Sequence, residues 1–134
     1  MLLATDLPAA PYGVLAARQN IEHGLPYAQF EDLRAALSIP AERLAKVTGI
    51  HPRTLQRRRQ EGTLTFIESD RLWRFQDLFA RASEALESRT SAGSWLTRPS
   101  SRFEGLAPLE YAATEPGYQE VLQVIDTIAD DSFG

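Results

Sequence analysis

The segment PAERLAKVTGIHPRTLQRRRQEG, residues 40–62, holds a glycine midway between two short runs that suit helices. In the first run Pro40 or Ala41 stands near the start, and Leu44, Ala45 and Val47 are available for packing. Thr48, Gly49 and Ile50 then end it, because glycine readily takes the left-handed conformation that closes a helix and redirects the chain. Pro52 suits the first position of a second helix, with Gly62 as the residue just past its end. Small Ala45 lets the two helices approach, while Ile50 and Leu55 supply apolar contacts from the turn and from the second helix. Two helices and a glycine turn within about twenty residues have the spacing of a helix-turn-helix.

Charge sharpens that reading. Between residues 43 and 59 stand Arg43, Lys46, Arg53, Arg57, Arg58 and Arg59, with no acid among them. A helix that enters DNA must meet phosphate and the acceptor-rich edge of guanine, so basic residues on the second helix fit a recognition helix. A solvated charged face is the alternative. Turned at about 100° per residue with Leu55 as the buried direction, the helix places Arg53, Gln56, Arg57 and Gln60 on its outer half. Arg58 and Arg59 flank Leu55 within about 60°, with their stems along the core and their heads turned to phosphate or to a carboxylate. The candidate DNA-binding set is Lys46, Arg53, Thr54, Gln56, Arg57 and Arg58, with Arg57 as the principal reader of bases.

The flanking segments read as helices too. Residues 1–24, punctuated by Pro8, Pro11, Gly13 and Gly24, form an arm of uncertain order. From Tyr27, the positions of Phe30, Leu33, Ala36 and Leu37 trace one helical stripe that stops before Pro40. Thr65 and Glu68 make a capping box that opens a long helix reaching to about Ser88. Along it, Leu72, Phe75, Phe79, Ala82 and Leu86 recur at spacings of three and four, a seam that serves either as core or as a dimer interface through Leu72, Phe75 and Phe79. Residues 88–93, SRTSAG, read as a connector. Pro108 opens a further helix and Pro116 another, the latter with Tyr118, Val121, Leu122, Ile125 and Ile128 on one face. No strand alternation is visible, and the expected fold class is all-α. The expected division is an arm over 1–24, a DNA-binding and dimerisation region over 25–90, and a second region over 91–134.

The chain of 134 residues carries a formal charge of -4, yet no basic residue follows Arg102, while Glu104, Glu110, Glu115, Glu120, Asp126, Asp130 and Asp131 all do. A basic middle and an acidic end suit two partners of opposite charge. No cysteine is present, which removes disulfides, thiolate metal sites and thiol nucleophiles. His23 and His51 are the only histidines, and there is no glycine-rich phosphate loop, serine elbow or metal-binding histidine motif. Catalysis, a cofactor and a metal are therefore not expected. The start lacks the pattern of a signal peptide and no run is long enough to span a membrane, so a cytoplasmic location is expected.

Two linked blocks resemble a known family. GLPYAQFEDLRAALSIPAERLAKVTGIHPRTLQRRRQEGTLTFIESDRLWRF, residues 24–75, is similar to the Xre-type helix-turn-helix half of the Xre/MbcA/ParS antitoxins, above all in RTLQRR, EG-L and ESDRL. WLTRPSSRFEGLAPLEYAATEPGYQEVLQVIDTI, residues 95–128, resembles their toxin-binding half in its W-L, F-x-G, P-L and T-x-x-G elements and closing apolar helix. The resemblance implies an antitoxin that occludes the NAD site of a RES- or ParT-like toxin with its C-terminal region. It also implies that the chain, as the DNA-binding half of a toxin–antitoxin hetero-oligomer, represses its own operon by binding operator DNA; a homodimer is expected because one helix-turn-helix buries too little to bind DNA tightly and operators are usually palindromic. Carried onto this chain, the toxin contacts would be Tyr118, Ile125 and Ile128 together with the tail Asp130, Asp131, Ser132, Phe133 and Gly134. Trp95, Phe103, Pro108 and Leu109 would build the small subdomain. A stand-alone helix-turn-helix regulator with a ligand- or protein-binding C-terminal part is the alternative. Against the family pattern, His51 replaces a serine or threonine cap, and Arg59 occupies a place commonly apolar.

Overall fold

The computed structural model describes residues 13–133. Among these the chain is all-α, and the one β feature is an isolated antiparallel bridge between Pro26 and Thr63. The helices are α1 (Gly13–His23), α2 (Tyr27–Leu37), α3 (Ala41–Thr48), α4 (Pro52–Glu61), α5 (Phe66–Ala85), α6 (Arg89–Thr97), α7 (Pro108–Tyr111) and α8 (Glu115–Phe133), with a 3-10 turn at Ser101–Phe103. Two compact units divide within α5, after Asp77.

The first unit closes on a core in which Phe30, Leu33, Leu44 and Leu72 have no exposed surface. Two of its inter-helix links, the one before α2 and the one after α4, are tied to each other. Leu64 N–H donates to Leu25 O at 2.9 Å, Tyr27 N–H donates to Gly62 O at 3.0 Å, and Leu25 N–H donates to Ser69 Oγ at 2.8 Å. These bonds satisfy buried backbone that no helix serves and anchor the end of α4 beside the start of α2. The segment 13–23, expected to belong to an arm, is helical, with Ala17 and Ile21 buried. The Thr65–Glu68 capping box forms as expected: Thr65 N–H donates to Glu68 Oε1 at 2.9 Å and Glu68 N–H to Thr65 Oγ1 at 3.3 Å.

In the second unit the 1% exposed Phe103 ring meets Trp95 edge-on at 6.1 Å and Tyr111 at a tilt at 5.0 Å. Leu96, Leu109, Val121 and Ile125 complete the core, and the Arg89 guanidinium lies 4.8 Å from the centroid of the Phe79 ring. Residues 88–93 are not a connector. Ser88 caps α6 by accepting the Ser91 N–H at 3.0 Å, and Ala92 and Gly93 are buried, so this small-residue run is packing surface. The helix break before it falls at Glu87, which takes φ 54 without being glycine.

The α5 seam is core. Leu72, Phe75 and Phe79 are 0%, 3% and 1% exposed within one chain, which leaves them no surface to offer a second copy.

Candidate functional site

The turn between α3 and α4 is built from backbone bonds that cap one helix and start the next. Gly49 has φ 72, its N–H donates to Lys46 O at 3.2 Å, and Ile50 N–H donates to Ala45 O at 2.8 Å, so the last carbonyls of α3 are satisfied by a Schellman-type end. Thr48 Oγ1 donates to Leu44 O at 2.8 Å and contacts Ala45 O at 3.1 Å. Gly49 is favoured by the left-handed conformation the turn needs, and the Arg71 Nη1 end lies 2.5 Å from where a Cβ would stand, so a larger residue would also push that guanidinium aside. Arg71, from α5, thus brings a further guanidinium against the turn, with Nη1 3.5 Å from Thr48 O. Hydropathy alone gave no hint of that, since Arg71 lies far along the sequence from the turn it joins.

His51 starts α4 and does the work of the missing hydroxyl. Its Nδ1 accepts the Arg53 N–H at 3.2 Å, which satisfies one of the orphan donors at a helix start.

Along α4, Arg53, Gln56, Arg57, Arg59 and Gln60 are exposed, and Thr54, Leu55 and Arg58 are partly covered. No residue of this helix is fully buried. Arg58 is the residue turned inward: Nε donates to Glu68 Oε1 at 2.7 Å and Nη1 to Glu61 Oε1 at 3.2 Å, with the side chain 13% exposed. Of the two roles expected of Arg58, the structure shows the carboxylate one. The Glu68 hydrogen bond raises the Arg58 pKa. Burial on its own would raise the Glu68 carboxyl, but Arg58 and the Thr65 N–H and hydroxyl outweigh it and hold that carboxyl below its usual range.

This pair rotates the inward direction of α4 by about 60°, from Leu55 toward Arg58. Arg59, expected beside the core, is exposed instead and lines a cleft of 540 Å³ with Tyr27, Glu31, Glu42 and Gln56. The outermost positions become Arg53, Gln56 and Gln60, with Arg57 and Arg59 on either flank. Lys46 is exposed in the last turn of α3.

In the second unit, Tyr118 and Ile125, expected to touch a partner, are 7% and 2% exposed and belong to the core. They share the inward stripe of α8 with Val121, so packing within the unit claims them first. Ile128 is half-buried, and Asp130 and Asp131 are exposed on the last turns of α8. The backbone stays helical through Phe133; the side chains of Ser132 and Phe133, and Gly134 as a whole, lie outside the described residues.

A glycine-turned helix pair with an exposed basic face, followed by a small helical unit rich in acids, defines a helix-turn-helix protein with an appended C-terminal domain. Residues 16–77 match the model of the antitoxin Xre-like helix-turn-helix domain, and residues 81–130 that of the antitoxin Xre/MbcA/ParS C-terminal toxin-binding domain. The chain belongs to the Xre/MbcA/ParS antitoxin family. Antitoxin Xre of Pseudomonas putida is 35% identical to it over 79 residues, 58% of this chain and 50% of that protein, so the match spans about half the length of that relative. Both matched regions respect the division after Asp77 within α5, earlier than the boundary at residue 90 expected from the sequence. No helix among the described residues is long and apolar enough to cross a membrane.

Proposed function

We propose that the chain neutralises a NAD-consuming toxin of the RES or ParT kind by laying the acidic end of α8 into the toxin's active-site cleft. On the same reading it represses its own operon as a dimer, through α4 and a dimer surface other than the α5 seam. The observation that carries the proposal is the end of α8. Asp130 and Asp131 stand exposed in its final turns, and no basic residue occupies the last turn. Acids at a helix C-terminus face the negative end of the macrodipole, an arrangement that is unfavourable in the free chain and relieved by a cationic partner. A cleft that holds the pyrophosphate of NAD supplies such a surface, and the tail enters it as an anion.

The test is growth rescue. Deleting residues 129–134 should abolish neutralisation of the co-expressed toxin and leave affinity for the upstream DNA unchanged. Rescue by the truncated chain would contradict occlusion by the tail. For the DNA half, affinity for the upstream region should fall steeply with salt, as expected of a protein that contacts several phosphates, and a salt-independent signal would remove that part of the proposal.

A further inference from the structure

Near the other end of α8 the second unit carries a groove of 640 Å³, lined by Leu106, Tyr111 and Pro116 and by the carboxylates of Glu104, Glu110 and Glu120. Leu106 is 47% exposed, and its exposure is built in. Its N–H donates to Phe103 O at 3.0 Å, its carbonyl accepts the Ser100 N–H at 3.0 Å, and the adjacent Gly105 N–H donates to Ser100 O at 2.9 Å. To present it the chain passes through two left-handed residues, Glu104 at φ 59 and Gly105 at φ 84. The first is the left-handed cap of the 3-10 turn, with its N–H bonded to Ser101 O at 3.3 Å, and together the two residues fix the outward course of the chain at Leu106. The opposite wall comes close because α8 places Gly117 against the Tyr111 carbonyl, where any side chain would collide with backbone.

The charge of the groove has one sign. No Lys, Arg or His lines it. The Tyr111 phenol is pushed up by burial and then by the negative fields of Glu104 and Glu120. A fixed apolar centre among carboxylates suits a side chain with a long aliphatic stem and a cationic head, the stem on Leu106 and Tyr111 and the head among the acids.

We propose that this groove docks an arginine-bearing segment of the toxin, at a contact separate from the cleft entered by the tail. The inference rests on the antitoxin reading above. It assigns Leu106, Glu104 and Glu120 to affinity and leaves occlusion to the end of α8, about 20 Å further along the helix at 1.5 Å per residue.

The experiment uses the full chain and the toxin that it neutralises in the growth assay. Purified toxin is titrated with the unmodified chain, with Leu106→Asp and with Glu104→Lys/Glu120→Lys, at low and high salt. Both variants should weaken the toxin Kd by about tenfold or more, as loss of an interface anchor does. The double lysine variant should also reduce the salt dependence of toxin binding, leaving the part that the acidic tail contributes. A helical circular-dichroism signal and a thermal midpoint close to those of the unmodified chain report that each variant is folded, and the double variant changes only exposed positions. Toxin affinity unchanged in both variants would overturn the groove while leaving the tail reading in place. A change in the self-association of the free chain with toxin binding intact would make a second copy the occupant, and would overturn it equally. If the unmodified chain neutralises no toxin, the antitoxin reading and this inference fall together. Tail deletion with Kd preserved, beside groove variants that no longer bind, would confirm the division of labour.

Discussion

Glu68 serves two elements with one oxygen, closing the capping box of α5 and holding Arg58 of α4. Glu68→Ala removes both, so a loss of about 2 kcal/mol is expected from a cap and a charge-assisted bond, read from urea unfolding. The same residue sets a pH dependence. Its folded-state carboxyl lies below the ordinary 4.5, so its contribution is complete above that value and is lost as pH falls through the lowered one. Unfolding followed between neutral pH and pH 3 should therefore show a shallower acid limb for Glu68→Gln than for the unmodified chain. An equal limb in both would mean that other carboxyls dominate. At His51, the helix-start bond has the geometry of an ordinary cap: His51→Ala should cost about 1 kcal/mol, and His51→Ser should restore it.

At the scale of the element, the orientation of α4 determines what its arginines can do. With Arg58 facing inward, Gln56, Gln60 and Arg53 lie nearest the outward pole and Arg57 and Arg59 flank it. Arg57→Ala and Arg59→Ala should thus weaken binding to the upstream DNA to a similar extent, each lowering the salt slope by about 1, while Gln56→Ala should relax the choice of base. A loss confined to Arg57 would restore Leu55 as the inward direction. The helices themselves were legible in the sequence because Gly49, Pro52, Gly62 and the Thr65–Glu68 box act through local rules that hold without tertiary context. The facing of α4 was not, because the ion pair that draws Arg58 to the centre of the inward side joins residues ten apart in sequence, and a wheel centred on Leu55 gives Arg58 and Arg59 equal standing on its flanks. Likewise Glu87 ends α5 in a conformation that composition assigns to glycine, and this hid the start of α6.

For the molecule as a whole, basic and acidic surfaces belong to different units, which reconciles a net charge of -4 with a DNA-binding face. The same separation explains why the second unit was read less well. Its apolar stripe was clear, but Tyr118 and Ile125 could be sorted into core rather than contact only once the packing of α8 was seen. What remains exposed at the end of α8 is charge, and its energetic sign differs between the free and the bound chain. Asp130→Asn/Asp131→Asn removes two charges from the negative end of the α8 dipole, so the free chain should gain stability, by about 0.5 kcal/mol per charge at low salt. Neutralisation should move the opposite way, because the toxin cleft would lose the anion that compensates its own positive charge. Thermal unfolding of the free chain and growth rescue on the same variant read the two effects independently. Gain in one and loss in the other is the pattern of residues kept for a partner at the expense of the fold, whereas a variant that rescues growth as well as the unmodified chain would assign the carboxylates to solvent alone.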